Sequence, residues 1–206
     1  MLSPEPPRHD TDSRRLQIAA SARALIAERG FEGLRTRDIA ERVGINVATL
    51  HYHVPSKEAL VELVAGSLRD QFRAQSERNP RAGLTPLEVL RLEFADFRET
   101  LTDDPATFLV LQELSARARR DERIDAIMRP LQSYWHAQIA EILSAGRADG
   151  SFRPDLDPAA AAAMVIGAMI GAQRHPHDPP AFFDRIAAEL ERALLNPAST
   201  PPGKAR

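Results

Sequence analysis

Residues Thr36–His53 read TRDIAERVGINVATLHYH. The spacing predicts two short helices, 37–43 with Thr36 as its N-cap and 47–53 with Asn46 as its N-cap, joined by a turn around Gly44. Such a pair is the helix-turn-helix arrangement. Ile39 and Val43 lie one turn apart and bury the first helix, and Ala40 is small enough for the second to cross it closely. Gly44 supplies the positive φ that the turn needs. Ile45 and Leu50 insert from the opposite side.

The second helix of the pair carries the chemistry. With Leu50 set inward, a rotation of ~100° per residue puts Ala48 and Tyr52 almost opposite it, with Thr49 and His51 at the edges. This outward face is short, uncharged and able to form hydrogen bonds, whereas a solvated helix is normally filled with Glu, Lys and Arg. It suits a major groove, where Thr and Ala methyls meet thymine and Tyr or His meets phosphate. Thr36 and Arg37 at one helix start, and His53 and Lys57 at another, are candidate phosphate anchors. A metal site at His51 and His53 is disfavoured, because residues two apart on a helix point about 200° apart.

Outward from this stretch, helical spacing continues in both directions. A first helix spans 12–29, with Ile18, Ala22, Leu25 and Ile26 on one face and Gly30 behind it. Pro55–Ser56 opens a fourth helix at Lys57. Thr85-Pro86-Leu87-Glu88 is a capping box with proline in the first turn. Asp104-Pro105, Asp121 and Asp157-Pro158 open further helices, Pro130 either kinks a helix or starts one, and the last helix spans 181–195. Alternating β-branched runs and internal repeats are absent, so the expected fold class is all-α. The expected domains are a tail, 1–11, a helix-turn-helix domain, 12–60, a helical domain, 61–195, and a second tail, 196–206. The proline-rich ends are expected to be disordered.

Composition narrows the function classes. The chain has 206 residues, 43% hydrophobic and 27% charged, without cysteine, which excludes disulfides, thiolate metal sites and a cysteine nucleophile. The apolar stretch 159–172 is shorter than the ~18–20 residues that span a bilayer, and the proline-rich start lacks a signal-peptide core, so a cytoplasmic protein without membrane association is expected. Net charge is −2 overall, so a nucleic-acid reading rests on geometry and not on charge. No nucleophile elbow, phosphate loop or metalloprotease helix is present, and no enzyme activity, cofactor or metal is expected. Asp103-Asp104 and Asp155/Asp157 precede proline-started helices and read as caps.

The run GFEGLRTRDIAERVGINVATLHYHVPSKEAL, Gly30 to Leu60, resembles the DNA-binding domain of the TetR (tetracycline repressor) family of bacterial regulators. AGRADGSFRPDLDP, Ala145–Pro158, is similar to a loop common before that family's penultimate helix. The resemblance implies a homodimer on a palindromic double-stranded operator, released when a small-molecule effector binds the C-terminal domain. It implies phosphate contacts for Thr36 and Lys57, a base-edge contact for Arg37, and recognition positions for Val47, Ala48, Thr49, Tyr52 and His53. Val47 stands where many relatives carry Lys, and His51 where Tyr is usual.

Beyond residue 60 the residues leave more open. Phe94, Phe97, Phe108, Leu111, Gln112, Trp135 and His136 combine aromatic walls with a few polar groups, as a pocket for an apolar or aromatic ligand would. Taken one by one, most of these residues read better as plain core. Ala163, Gly167 and Gly171 recur every four residues, and with Phe183, Ile186, Leu190 and Leu194 they form the expected dimer interface, a four-helix bundle by resemblance. Two other readings stay open: a helical ligand-binding protein without DNA binding, and a small all-α enzyme using His136 or the His175/His177 loop.

Overall fold

The computed structural model describes residues 8–197, with side chains from Asp12 onward. Its elements are α1 (Arg8–Arg29), a 3-10 turn (Phe31–Gly33), α2 (Thr36–Val43), α3 (Val47–His53), α4 (Lys57–Arg78), α5 (Pro86–Asp103), α6 (Ala106–Ala118), α7 (Glu122–Asp149), α8 (Pro158–Ala172) and α9 (Pro179–Leu194). Among the described residues the only strand-like feature is one antiparallel bridge, Phe152 to Leu195. The fold is all-α.

Local signals set most of the helix starts. Thr85 Oγ1 accepts from the Glu88 amide while the Glu88 carboxylate accepts from the Thr85 amide at 2.7 Å, closing the capping box. Asp157 Oδ1 accepts from the Ala159 and Ala160 amides, and Asp178 Oδ1 from the Ala181 amide. Three expectations need correction. Thr36 is the first residue of α2 and not its cap; the N-cap is Arg35, extended and without a side-chain bond. Helix α1 begins at Arg8, so residues 8–11 are helical. Asn196 is held by bonds to Ser151 and Gly150 carbonyls at 3.0 and 3.1 Å. The other residues of the two expected tails, 1–7 and 198–206, lie outside the described residues, apart from Pro197. Pro130 lies inside α7, which continues through it.

The chain divides into two compact units otherwise than at residue 60. Of the described residues, the first holds 8–74 together with Ala106–Leu131, and the second holds Gln75–Pro105 and 132–197.

In the first unit, α1, α2, α3, α6 and the early parts of α4 and α7 share one core around Ile18, Leu25, Ile39, Leu50, Leu68 and Leu114. Helix α6 packs along α1. Polar ties reinforce that packing. The Phe31 amide donates to Glu113 Oε2 at 3.0 Å, Arg117 Nη1 donates to Glu32 at 3.0 Å, and Arg23 Nη2 donates to the wholly buried Thr107 hydroxyl at 2.6 Å.

In the second unit α9 packs on α5 and α8. The Phe183 ring meets Phe94 edge-on, with centroids 5.8 Å apart, and Phe97 at 4.8 Å. Gly146 is bare because Phe152 folds back over it: a Cβ there would overlap the Phe152 ring, which is fully buried. A polar cluster lies against α5. Arg81 pairs with Glu93 and Asp96, Gln75 Nε2 donates to the Asp96 carbonyl at 2.9 Å, and Gln138 Nε2 donates to Glu93 at 3.1 Å. Burial pushes the Glu93 carboxyl above its ordinary range, outweighing the neighbouring Arg81 charge.

Candidate nucleic-acid interface

Helices α2 and α3 are fixed from below and capped at their joint. Leu50 is buried, so it sets the rotation of α3 about its axis. Gly44 adopts φ 72 and ψ 35, and its neighbour Ile45 donates to the Ala40 carbonyl at 2.9 Å, closing the turn. Asn46 Oδ1 accepts from the Thr49 amide at 2.7 Å and caps α3. With Leu50 inward, Val47, Ala48, His51 and Tyr52 are exposed, Tyr52 by 69%, while Thr49 and His53 are half-buried. The His53 ring meets the Tyr52 ring edge-on at 5.2 Å.

Exposure alone would not mark a phosphate-binding surface; the pairing of its cations helps to do so. Arg42 donates to both Glu28 oxygens at 2.8 and 2.9 Å, and Arg29 donates to Asp38 at 2.8 Å. The Arg42 hydrogen bond holds the Glu28 carboxyl below its usual range. These arginines serve α1 and α2. Arg37 is exposed and has no carboxylate partner among the described residues, and Thr36 beside it is also exposed. Lys57 starts α4 with its ammonium 4.2 Å from the centre of the Phe31 ring, which orients the charge without neutralising it. Ser56 Oγ accepts from the Ala59 amide and caps α4 at that point. All eight expected DNA-contact residues therefore belong to the first unit, and six of them are exposed.

The expected ligand residues are divided between the units. Phe94 and Phe97 are buried against Phe183, Trp135 and His136 are half-buried, and all four lie in the second unit. Phe108 is buried, Leu111 packs on the first unit's core, and Gln112 is exposed. An open groove of about 650 Å³ in the first unit is lined by Glu58, Arg69, Arg123 and Ile127 among others, and by none of the seven.

The expected dimer residues also separate. Ala163, Gly167 and Gly171 are exposed, beside Met164 at 63% and Ile170 at 38%. Ile186 and Leu190 are half-buried. Phe183 and Leu194 are buried within the chain, Phe183 against Phe94 and Phe97 of α5. In the His175/His177 loop, His175 stacks on Phe182 at 4.1 Å and Asp178 caps α9. Among the described residues no three His, Asp or Glu side chains converge as metal ligands, and no helix is long and apolar enough to cross a membrane.

With this geometry in place, relatives supply the family. Residues 18–64 match the model of bacterial regulatory proteins of the tetR family, and residues 86–196 match the C-terminal model of BetI-type transcriptional repressors. The HTH-type transcriptional repressor KstR2 of Mycolicibacterium smegmatis is 30% identical over 159 residues, 76% of this chain and 75% of the relative. KstR2 of Rhodococcus jostii is 31% identical over 156 residues, 74% of this chain and 76% of the relative. A solved structure of a TetR-family regulator from Rhodococcus sp. superposes with a TM-score of 0.78 at 22% identity, covering 88% of this chain and 98% of the other. The ketosteroid transcriptional regulator KstR2 of Mycobacterium tuberculosis superposes at 0.70 with 24% identity, covering 89% and 96%. The chain belongs to the TetR family of bacterial regulatory proteins and is a DNA-binding transcriptional regulator of that kind.

Proposed function

We propose that the chain acts in the cytoplasm as a homodimeric repressor that leaves a palindromic operator when a small apolar ligand binds its C-terminal domain. The observation that carries the DNA contacts is the outward face of α3, Ala48 and Tyr52 opposite a buried Leu50, bordered by Thr36, Arg37, Val47, Thr49, His53 and Lys57. One helix of seven residues buries too little surface for tight specific binding, so two copies engage successive major grooves together. The exposed α8 face supports the pairing. It is apolar, with glycines at 167 and 171 that allow a second helix to approach closely.

Release follows from linkage. A ligand preferring a dimer whose recognition helices are wrongly spaced weakens operator binding by its differential affinity for the two states. Helix α4 contributes residues to both units and is the lever in this reading. The half-buried Trp135 and His136 favour a ligand with an apolar body and a polar group, and the word ketosteroid in the name of one relative agrees with that class. Phe94 and Phe97 are covered by Phe183. A gel shift on the DNA upstream of the chain's own gene tests the reading. Wild type binds it, Tyr52→Ala binds much more weakly with unchanged thermal stability, and a ketosteroid dissociates the wild-type complex. A wild type that leaves the duplex unshifted, or a Tyr52→Ala variant that binds as well, refutes the DNA contacts. A complex that ignores apolar ligands refutes the proposed release.

A further inference from the structure

Arg15 lies in the second turn of α1, far in sequence from the helix-turn-helix, yet its Nη1 donates to the main-chain carbonyl of His53 at 3.3 Å. His53 is the last residue of α3. The final carbonyls of a helix lack intrahelical partners, and a guanidinium there satisfies one of them and opposes the negative end of the helix dipole. That bond uses one of five guanidinium N–H groups. The side chain is exposed, and no carboxylate pairs with it among the described residues. The contrast within α1 and α2 is clear. Arg29 and Arg42 are neutralised by Asp38 and Glu28, and Arg14 donates to Gln17 at 3.1 Å.

We propose that Arg15 is a further DNA-contact residue, which holds a backbone phosphate flanking the half-site while its bond to His53 fixes the C-terminal end of the recognition helix. A strand that follows the Ala48–Tyr52 face passes the end of α3, where this guanidinium stands with several donors unused among the described residues. Arginine suits both tasks, since its planar fork serves a carbonyl and a phosphate at once. The inference rests on the DNA-binding reading above and extends that surface to α1.

Salt dependence separates the phosphate contact from a purely structural cap. Affinity for a labelled duplex of unrelated sequence, long enough for two half-sites, is measured by anisotropy between about 50 and 200 mM salt for wild type, Arg15→Gln and Arg15→Lys. Each lost phosphate contact lowers the log–log slope by ~0.9. Two copies in a dimer therefore make the Arg15→Gln affinity vary about 12-fold less over that fourfold span. Arg15→Lys keeps the charge and is expected to keep the slope. An Arg15→Gln slope equal to wild type, with affinity lowered evenly at every salt concentration, assigns Arg15 to capping alone and overturns the proposal. Equal loss in both variants also overturns it, since the charge would then be irrelevant. A wild type that ignores the duplex at low salt fails the DNA-binding reading itself, and this one with it.

Discussion

Gly167 is the most discriminating position for the dimer, because its effect on the single chain and on the pair should have opposite signs. It sits mid-way along α8, exposed, and an added Cβ would have no heavy atom within 4 Å. In a lone chain Gly167→Ala therefore removes only the conformational cost of glycine in a helix, a gain of about 0.8–1 kcal/mol. For a chain of this length that corresponds to a rise of roughly 2–4 °C in melting temperature. If two α8 helices approach through this face, the same methyl overpacks the contact at ~1–3 kcal/mol per copy, and a twofold axis doubles it. The dimer would then weaken by about 2–6 kcal/mol, at least a tenfold rise in its Kd. Sedimentation equilibrium over a range of protein concentrations reads the dimer, and circular dichroism on dilute protein reads the chain. Gly167→Leu strengthens the test, since the chain has open space for the side chain and the pair would not. A Gly167→Leu protein that associates as tightly as wild type would remove the α8 face from the interface.

Three further outcomes are expected. Lys57→Ala should weaken binding to every duplex sequence and reduce the salt slope by ~0.9 per subunit, with at most about 1 kcal/mol of stability lost from the ring contact with Phe31; an unchanged slope removes Lys57 from the phosphate contacts. Gly44→Ala meets open space but a left-handed backbone, so denaturant unfolding should register a loss of only about 1–2 kcal/mol. Gly146→Ala drives a methyl into Phe152 and should cost more, so a Gly146→Ala protein at least as stable as Gly44→Ala would contradict the Phe152 packing. The Glu93 carboxyl is raised by burial, so the unfolded chain gives up this proton first. Its stabilising contribution is complete below the ordinary value of 4.5 and fades as pH rises through the higher folded value. Glu93→Gln abolishes that loss and should flatten melting temperature against pH over that interval; parallel profiles for the two proteins would show that Glu93 does not titrate there.

What the sequence made legible was local, and what it concealed was decided by distant partners. The α3 face follows from the position of Leu50 and the Asn46 cap three residues from its bonded amide, and the Thr85 and Asp157 starts follow from equally short spacings. Thr36 misled for a related reason: a threonine before a helical run is a good cap, but Arg35 holds the extended position and Thr36 enters the helix without bonding its amides. Phe183 shows a different limit. Its stripe on α9 signals burial, yet periodicity cannot say whether α5 of the same chain or a second chain covers it, and here Phe94 and Phe97 do. Glu93, Asp96 and Thr100 recur on α5 between Leu90, Phe94, Phe97 and Leu101, and local spacing does not show that Arg81 and Gln75 bury that side as well. Arg15 to His53 spans 38 positions, and Phe31 to Glu113 spans 82. No window of local spacing reaches across such gaps. The first unit thus takes in α6 as well as the helix-turn-helix, because α6 completes the core beneath α1. The α3 face stands outward as a consequence of that completed core, since a helix as short as α3 keeps its rotation only while Leu50 has a filled interior to enter.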